Sequence, residues 1–344
     1  QPEFYNSATL RFPSLLKSLE MIHEYQPDEI IISTPGPVGL MGLLAAKLLS
    51  VKSVAVYHTD FTRQAALFLA DDFMTKVTET YMHWFHKLVD EIRVPTRHYI
   101  PVLGERGYDV SRMKVFKRGI ELDTFKYSDD ARAKIRAQHH LGSGPVLLWA
   151  GRLGKEKSLD FLSDIYQTTC ERYGRVKLVV AGHGPEEEHL KTRLAAFGDD
   201  VLFAGRVPHE ELPAWYSAAD LFVFPSVTET FGMVILEAQA CGLPALVTNV
   251  GGPQELIGDA ETGTVLKAGD REVWVSEIIR MLNMIEKEPE KYLEMRFRSR
   301  TRVEKQASWF EALDDLIGRN GVSGKKYKDL TVVPPVTQLS PEEV

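Results

Sequence analysis

The chain has 344 residues, with 41 lysines and arginines against 48 aspartates and glutamates, a net charge of −7. That length implies two domains, three at most, with a sizeable core, and the negative balance gives a nucleic-acid role no electrostatic support. No apolar run approaches the ~20 residues that span a bilayer, and no Cys/His spacing suits a metal.

Residues 1–12 are irregular and aromatic; Pro13–Tyr25 has helical periodicity through Leu15, Leu16, Leu19 and Ile22. Glu29–Ser33 reads as a strand, Thr34-Pro35-Gly36-Pro37 as a break, and Val38–Leu49 as a helix of small residues and leucine. Ser53–Tyr57 is the next strand, ending in His58-Thr59-Asp60-Phe61. A long amphipathic helical region is expected over roughly 62–88, then a strand at Glu91–Val94, a helix at Tyr99–Arg106 and a strand at Met113–Lys117. The polar stretch Glu121–Gly144 reads as a linker. Strands then recur at Val146–Ala150, Lys177–Ala181, Val201–Ala204, Leu221–Phe224 and Gly263–Leu266, with helices between them. Such alternation argues for βαβ units and parallel sheets, hence two α/β halves. Helices are expected over 271–317, and the tail from Arg319 reads as extended or disordered. Cys170 and Cys241 read as buried thiols of a reducing cytosol, with one disulfide as the alternative. No leader pattern is visible; a start at Gln1 reads as a fragment or a processed piece.

The most informative stretch is Leu221–Thr248: strand, loop, helix, turn, strand. Thr228 or Thr230 is a candidate helix N-cap, and Gly242 followed by Pro244 a helix stop. Glu229 and Glu237 lie eight residues apart, about 12 Å along one side of a helix. Between them, amides near Phe231-Gly232-Met233 can hold an anion at a helix start. The alternative is one glutamate favouring the helix dipole and one exposed. Arg152 and Lys157 follow the strand Val146–Ala150, where ligands of parallel sheets bind, and suit a diphosphate; a solvated basic loop is the alternative. His58, at a strand end beside Asp60, suits catalysis or substrate binding, or else a hydrogen-bonded structural role. Gly182-His183-Gly184 is a tight turn whose Gly182 lets a ligand approach the backbone.

Together these residues resemble a family. Glu229-Thr230-Phe231-Gly232 with Glu237 is similar to the E-x7-E motif of the GT4 retaining glycosyltransferases, which have the GT-B fold. Gly151-Arg152-Leu153 with Lys157 resembles the family's phosphate-binding loop, and Gly182-His183-Gly184-Pro185 its G-x-G-P turn. Lys117–Phe125 resembles its P-N-G-V-D-x-x-x-F signature, with Lys117-Arg118 replacing the usual Pro-Asn, and Asn249–Glu255 resembles its V-G-G-x-x-E segment. Thr34–Gly39 and Tyr57–Phe61 look most like GDP-mannose-dependent α-mannosyltransferases. The family's opening strand and Gly-rich loop have no counterpart here.

The resemblance implies a GT-B fold of two Rossmann-like domains facing a cleft: an acceptor-side domain over 1–122, lacking its first βα portion, and a nucleotide-sugar domain over 123–300. A helix at 301–320 would return to the first domain, and 321–344 would be a flexible tail. It implies retaining transfer of a hexose, mannose favoured, from a GDP- or UDP-sugar, with neither metal nor further cofactor. His58, Arg152, Lys157 and Glu229 would be catalytic. Gly151, Arg152, Lys157, Gly182, Val207, Glu229, Phe231, Gly232, Met233, Val234 and Glu237 would bind the donor; His58 and Asp60 would face the acceptor, a sugar or lipid-linked sugar. A cytoplasmic enzyme, peripheral at the inner membrane surface and carrying an upstream domain, is the implied setting. The competing readings are a non-catalytic nucleotide-sugar-binding module and a sugar-nucleotide epimerase of related fold.

Overall fold

The computed structural model describes residues 14–69, 71–258 and 261–307, with 309 and 312. The first half runs α1 (Leu15–Tyr25), β1 (Glu29–Ile32), α2 (Pro37–Leu49), β2 (Lys52–Val56), α3 (Phe61–Leu69), α4 (Asp72–Leu88), β3 (Glu91–Val94), α5 (Tyr99–Glu105) and β4 (Met113–Val115). Its four strands form a parallel sheet in the order β1-β2-β3-β4. The second half contains α6 (Asp129–Gln138), β5 (Val146–Ala150), α7 (Leu159–Tyr173), β6 (Lys177–Ala181), α8 (Glu187–Leu194), β7 (Val201–Gly205) and α9 (Leu212–Ala218). It continues with β8 (Leu221–Phe224), α10 (Met233–Ala240), β9 (Ala245–Thr248), α11 (Pro253–Leu256), β10 (Gly263–Leu266), α12 (Arg271–Lys287) and α13 (Pro289–Gln306). Its six parallel strands are ordered β10-β9-β8-β5-β6-β7, so the order reverses between β5 and β8. That is the doubly wound arrangement, in which ligands bind beyond the strand ends at the reversal.

Every residue of β5, β8 and β9 is buried, as expected of a parallel sheet covered on both faces. The core divides in two: one cluster lies between Ile32 and Met113, the other between Ile120 and Ala307. The first sheet is less complete. Among the described residues β1 pairs only with β2, α1 buries none of its residues, and Leu16, Val38 and Leu48 are exposed.

The expected helical region over 62–88 consists of two helices, α3 and α4. Asp71, extended at φ −131° and ψ 115°, separates α3 from α4, and its carboxylate accepts from the Met74 amide at 3.1 Å. The aspartate pair sits inside an amphipathic pattern, so periodicity alone hides the break. Both cysteines are free, Cys241 buried and Cys170 half-buried.

The expected linker contains α6, which is bound to the second half by charge. Arg132 and Arg136 reach the buried Asp220 at 2.7 and 2.5 Å, and Asp220 also accepts from the Val146 amide at 2.8 Å. Arg132 further donates to the carbonyls of Ser217, Ala218 and Ala219 at the end of α9. Past α13, the Ala307 carbonyl accepts from the Ile120 amide at 2.9 Å, and Trp309 lies against Gly119, where an added Cβ would come 2.6 Å from the Trp309 Cα. Ala307 and Trp309 thus meet the crossover segment between the sheets. The rest of the expected helix at 301–320 and the tail at 321–344 fall outside the described residues. Asp220→Ala is expected to destabilise the fold by about 3–5 kcal/mol, because two guanidinium groups lose their buried counter-charge; urea unfolding measures it.

Candidate active site

The loops after β5 and β6 lie backbone against backbone. The Gly151 amide donates to Ala181 at 3.0 Å and the Leu153 amide to His183 at 3.1 Å. A Cβ on Gly182 (φ +154°) would sit 1.8 Å from the Gly151 carbonyl oxygen, so this turn tolerates only glycine. Gly182 therefore acts on Gly151-Arg152 through the backbone and does not line the cavity beside them.

The loop after β8 is braced in the same way. Thr228 Oγ1 donates to the Glu156 carbonyl at 2.7 Å, and the Gly252 amide donates to the Glu229 carbonyl at 2.9 Å. A Cβ on Gly252 would come 2.1 Å from the Thr230 carbonyl. The structure corrects the expected helix cap: α10 begins at Met233 behind Gly232, whose φ is +100°, and neither Thr228 nor Thr230 caps it. Thr230 Oγ1 instead donates across the cleft to the His58 carbonyl at 2.6 Å. Glu229 consequently lies in the loop and Glu237 on the helix, so the two carboxylates do not share one helical side. Amides at the α10 start lack intrahelical partners and carry the positive end of the helix dipole.

A cavity of about 330 Å³ opens where these loops meet the first domain. It brings together His58, Gly151, Arg152, Lys157, Glu229, Phe231, Gly232, Met233 and Val234 from the expected set. It also gathers four residues outside that set, Arg118, Ala150, Phe224 and Thr230. Lys157 is ion-paired with Glu229, and Arg152 donates to Glu156 at 2.6 Å. Both cations thus have carboxylate partners before any anion arrives.

Arg118 Nη2 lies 2.7 Å from His58 Nδ1. Because a guanidinium only donates, Nδ1 is the acceptor and the neutral ring carries its proton on Nε2. Burial, and then the Arg118 charge, lowers the His58 pKa, so the neutral form is favoured. The Arg118 guanidinium packs over Phe116 and Phe231, 5.2 Å from each ring centroid. The one sequence signal for Arg118 was its place in the motif, where the family pattern has asparagine.

Three expected site residues besides Gly182 do not line this cavity. Asp60 is buried; it is held bidentately by Arg106 at 2.8 and 2.9 Å and caps α3 through the Arg63 amide at 3.1 Å. Glu237 is buried, accepts from the Tyr216 hydroxyl at 2.9 Å and has His209 Nε2 at 3.4 Å. Val207 is half-buried beyond β7. Glu255, from the V-G-G-x-x-E segment, reaches the other domain: its carboxylate accepts from the Arg97 amide at 3.0 Å and from the His98 amide.

Two α/β domains joined by a crossover, with a cationic cavity between facing strand ends, define the GT-B class. Residues 1–124 match the family described as Glycosyltransferase Family 4, and residues 131–300 match Glycosyl transferases group 1. The chain belongs to this family of glycosyltransferases. It is 29% identical over 257 residues to a GDP-mannose-dependent alpha-mannosyltransferase of Mycobacterium tuberculosis, covering 74% of this chain and 64% of that protein. It is 26% identical over 285 residues to the sulfoquinovosyl transferase SQD2 of Arabidopsis thaliana, covering 81% and 54%. The chain thus spans between half and two thirds of these relatives. Among solved structures, Anabaena HepE in complex with UDP-glucose superposes with a TM-score of 0.73 at 19% identity, over 89% of this chain and 81% of that one.

Stability is expected to fall as the pH drops below about 6.5, the ordinary histidine value. Burial depresses the pKa of both His58 and His86 in the folded state, so the unfolded chain takes up protons first. Urea midpoints at pH 7.5 and 5 check this, and the difference should shrink in His58→Gln.

Proposed function

We propose that the chain is the donor-binding and catalytic part of a retaining hexosyltransferase, moving a hexose, mannose favoured, from a nucleotide diphosphate sugar to a sugar or lipid-linked acceptor. The observation that carries this reading is the meeting of Arg152, Lys157, the α10 N-terminus and His58 around one cavity. The diphosphate would take over Arg152 and Lys157 from Glu156 and Glu229. That exchange releases the Glu229 carboxylate to accept from sugar hydroxyls as the phosphates are bound. The charge growing on the leaving diphosphate is met by the two cations and the helix-start amides, so this reading needs no metal. The Nε2–H of His58 would donate to the transferred sugar from the facing domain. With no nucleophile assigned among the cavity residues, front-face substitution fits best: the departing phosphate oxygen takes the acceptor proton and the anomeric configuration is kept.

The relatives favour both GDP and UDP donors. A GDP-mannose-dependent transferase and a structure in complex with UDP-glucose are among them, and mannose follows the former. No described helix is long and apolar enough to cross a membrane; a cytoplasmic enzyme meeting a lipid-linked acceptor at the inner membrane surface accords with that. Among the described residues β1 is an edge strand, which favours a second reading, in which the chain alone binds the donor and an upstream domain completes the first sheet for transfer.

Lys157→Ala is expected to lower kcat by the equivalent of about 2–4 kcal/mol if Lys157 stabilises leaving-group charge; near-wild-type kcat would remove that role. Glu237→Ala is expected to raise the donor KM with a smaller change in kcat, by disturbing the Tyr216 side of the donor domain. Incubation with GDP- and UDP-sugars separates the two readings: thermal stabilisation without sugar transfer supports the binding module.

A further inference from the structure

A second, larger cavity of about 920 Å³ lies between the domains on the crossover side. It shares Arg118 and Phe231 with the donor cavity and is otherwise separate. Among the described residues, five cations line it, Arg97, Lys117, Arg118, Arg302 and Lys305, with one carboxylate, Glu255; Lys117 and Arg302 have partners of their own. That carboxylate is engaged by the Arg97 and His98 amides. Of the three cations lining the donor cavity, Arg118 alone has no carboxylate partner among the described residues: its hydrogen bond goes to a neutral imidazole and its faces to two phenyl rings. A guanidinium withdrawn from water without a counter-charge is costly, and an anion relieves that cost. Two residues lining the larger cavity each carry a buried polar atom without a hydrogen-bond partner among the described residues, Arg118 Nε and Thr96 Oγ1. Thr96 is 2% exposed. A guanidinium N–H and a hydroxyl are the donors a tetrahedral oxyanion accepts from.

We propose that this interdomain cavity binds a phosphate-bearing ligand, anchored by Arg118 and Thr96 and surrounded by the cations of both domains. Arg118 then links the two cavities. The group that neutralises it sits on one side, and the His58 ring it orients sits on the other. Residues from both domains close on the ligand, so its binding favours the domain arrangement in which Glu255 and Thr230 reach across the cleft.

The test is titration of inorganic phosphate into the full chain at constant ionic strength, followed by calorimetry. It is run in the Lys157→Ala background to suppress binding in the donor cavity. Binding is expected to persist in that background and to weaken roughly tenfold or more in Thr96→Val and in Arg118→Met, the loss that follows removal of one hydrogen bond to a charged oxyanion. No phosphate binding to the wild-type chain, its loss with Lys157→Ala alone, or indifference to Thr96→Val would overturn the proposal. Because Arg118 lines both cavities, Thr96 decides; thermal melts identify any variant that fails to fold, and Thr96→Ala replaces Thr96→Val in that case. Because binding is read without turnover, this result stands apart from that of the transfer assay. A parallel comparison of glucose 6-phosphate with glucose, in the presence of nucleotide sugar, assigns the source. A glycosylated sugar phosphate makes the phosphate part of the acceptor; altered donor affinity without such a product makes it a free effector.

Discussion

Backbone pressed against backbone is the constraint on which the cleft depends. The loop after β5 carries the cations, the loop after β8 carries Glu229 and leads into α10, and neither would hold its place alone. Gly182 brings the β6 turn onto the first loop, where a methyl group would lie 1.8 Å from a carbonyl oxygen. Gly252 brings the segment after β9 onto the second at similarly close range. These approaches turn four strand ends into one rigid rim. Gly182, which looks like a ligand contact in the sequence, serves instead to fix the loop that makes the contacts.

On that rim, among the described residues, the charges are arranged in compensated pairs with one exception. Lys157 with Glu229 and Arg152 with Glu156 are each satisfied within the second domain. Arg118 is the exception. It comes from the crossover segment, faces both cavities, and holds His58 in the tautomer whose proton points away from it. Charge on one side of the molecule is thereby connected with ring orientation on the other. The domains also touch through polar contacts, Thr230 to the His58 carbonyl and Glu255 to the Arg97 and His98 amides. Such contacts can be made and broken as a cleft opens, whereas a large apolar interface would lock it.

Much of the architecture was legible because parallel strands buried on both faces read as short apolar runs. Val146–Ala150, Lys177–Ala181, Leu221–Phe224 and Gly263–Leu266 stand where their composition placed them. Helix limits were less legible where two signals competed. The Asp71-Asp72 break sits within continuous amphipathic periodicity, and Thr228 and Thr230 have the chemistry of caps while their hydroxyls are used elsewhere. An N-cap preference is worth about 1 kcal/mol, so a cross-loop or cross-domain hydrogen bond readily displaces it.

By itself the sequence determined the alternation of strands and helices, the division into two α/β halves, and the placing of Arg152, Lys157, Glu229 and the α10 start at strand ends that must share one face of the second sheet. Those follow from local composition and from the handedness of parallel crossovers, which leave few alternatives. Only the tertiary structure decided which charges are paired. It tied Asp60 to Arg106 and buried Glu237 beside Tyr216. It also set Arg118 against His58, which lies 60 residues earlier in the chain. Whether a charged side chain is compensated depends on neighbours distant in sequence and on the water excluded around it, and neither is written in the residues beside it.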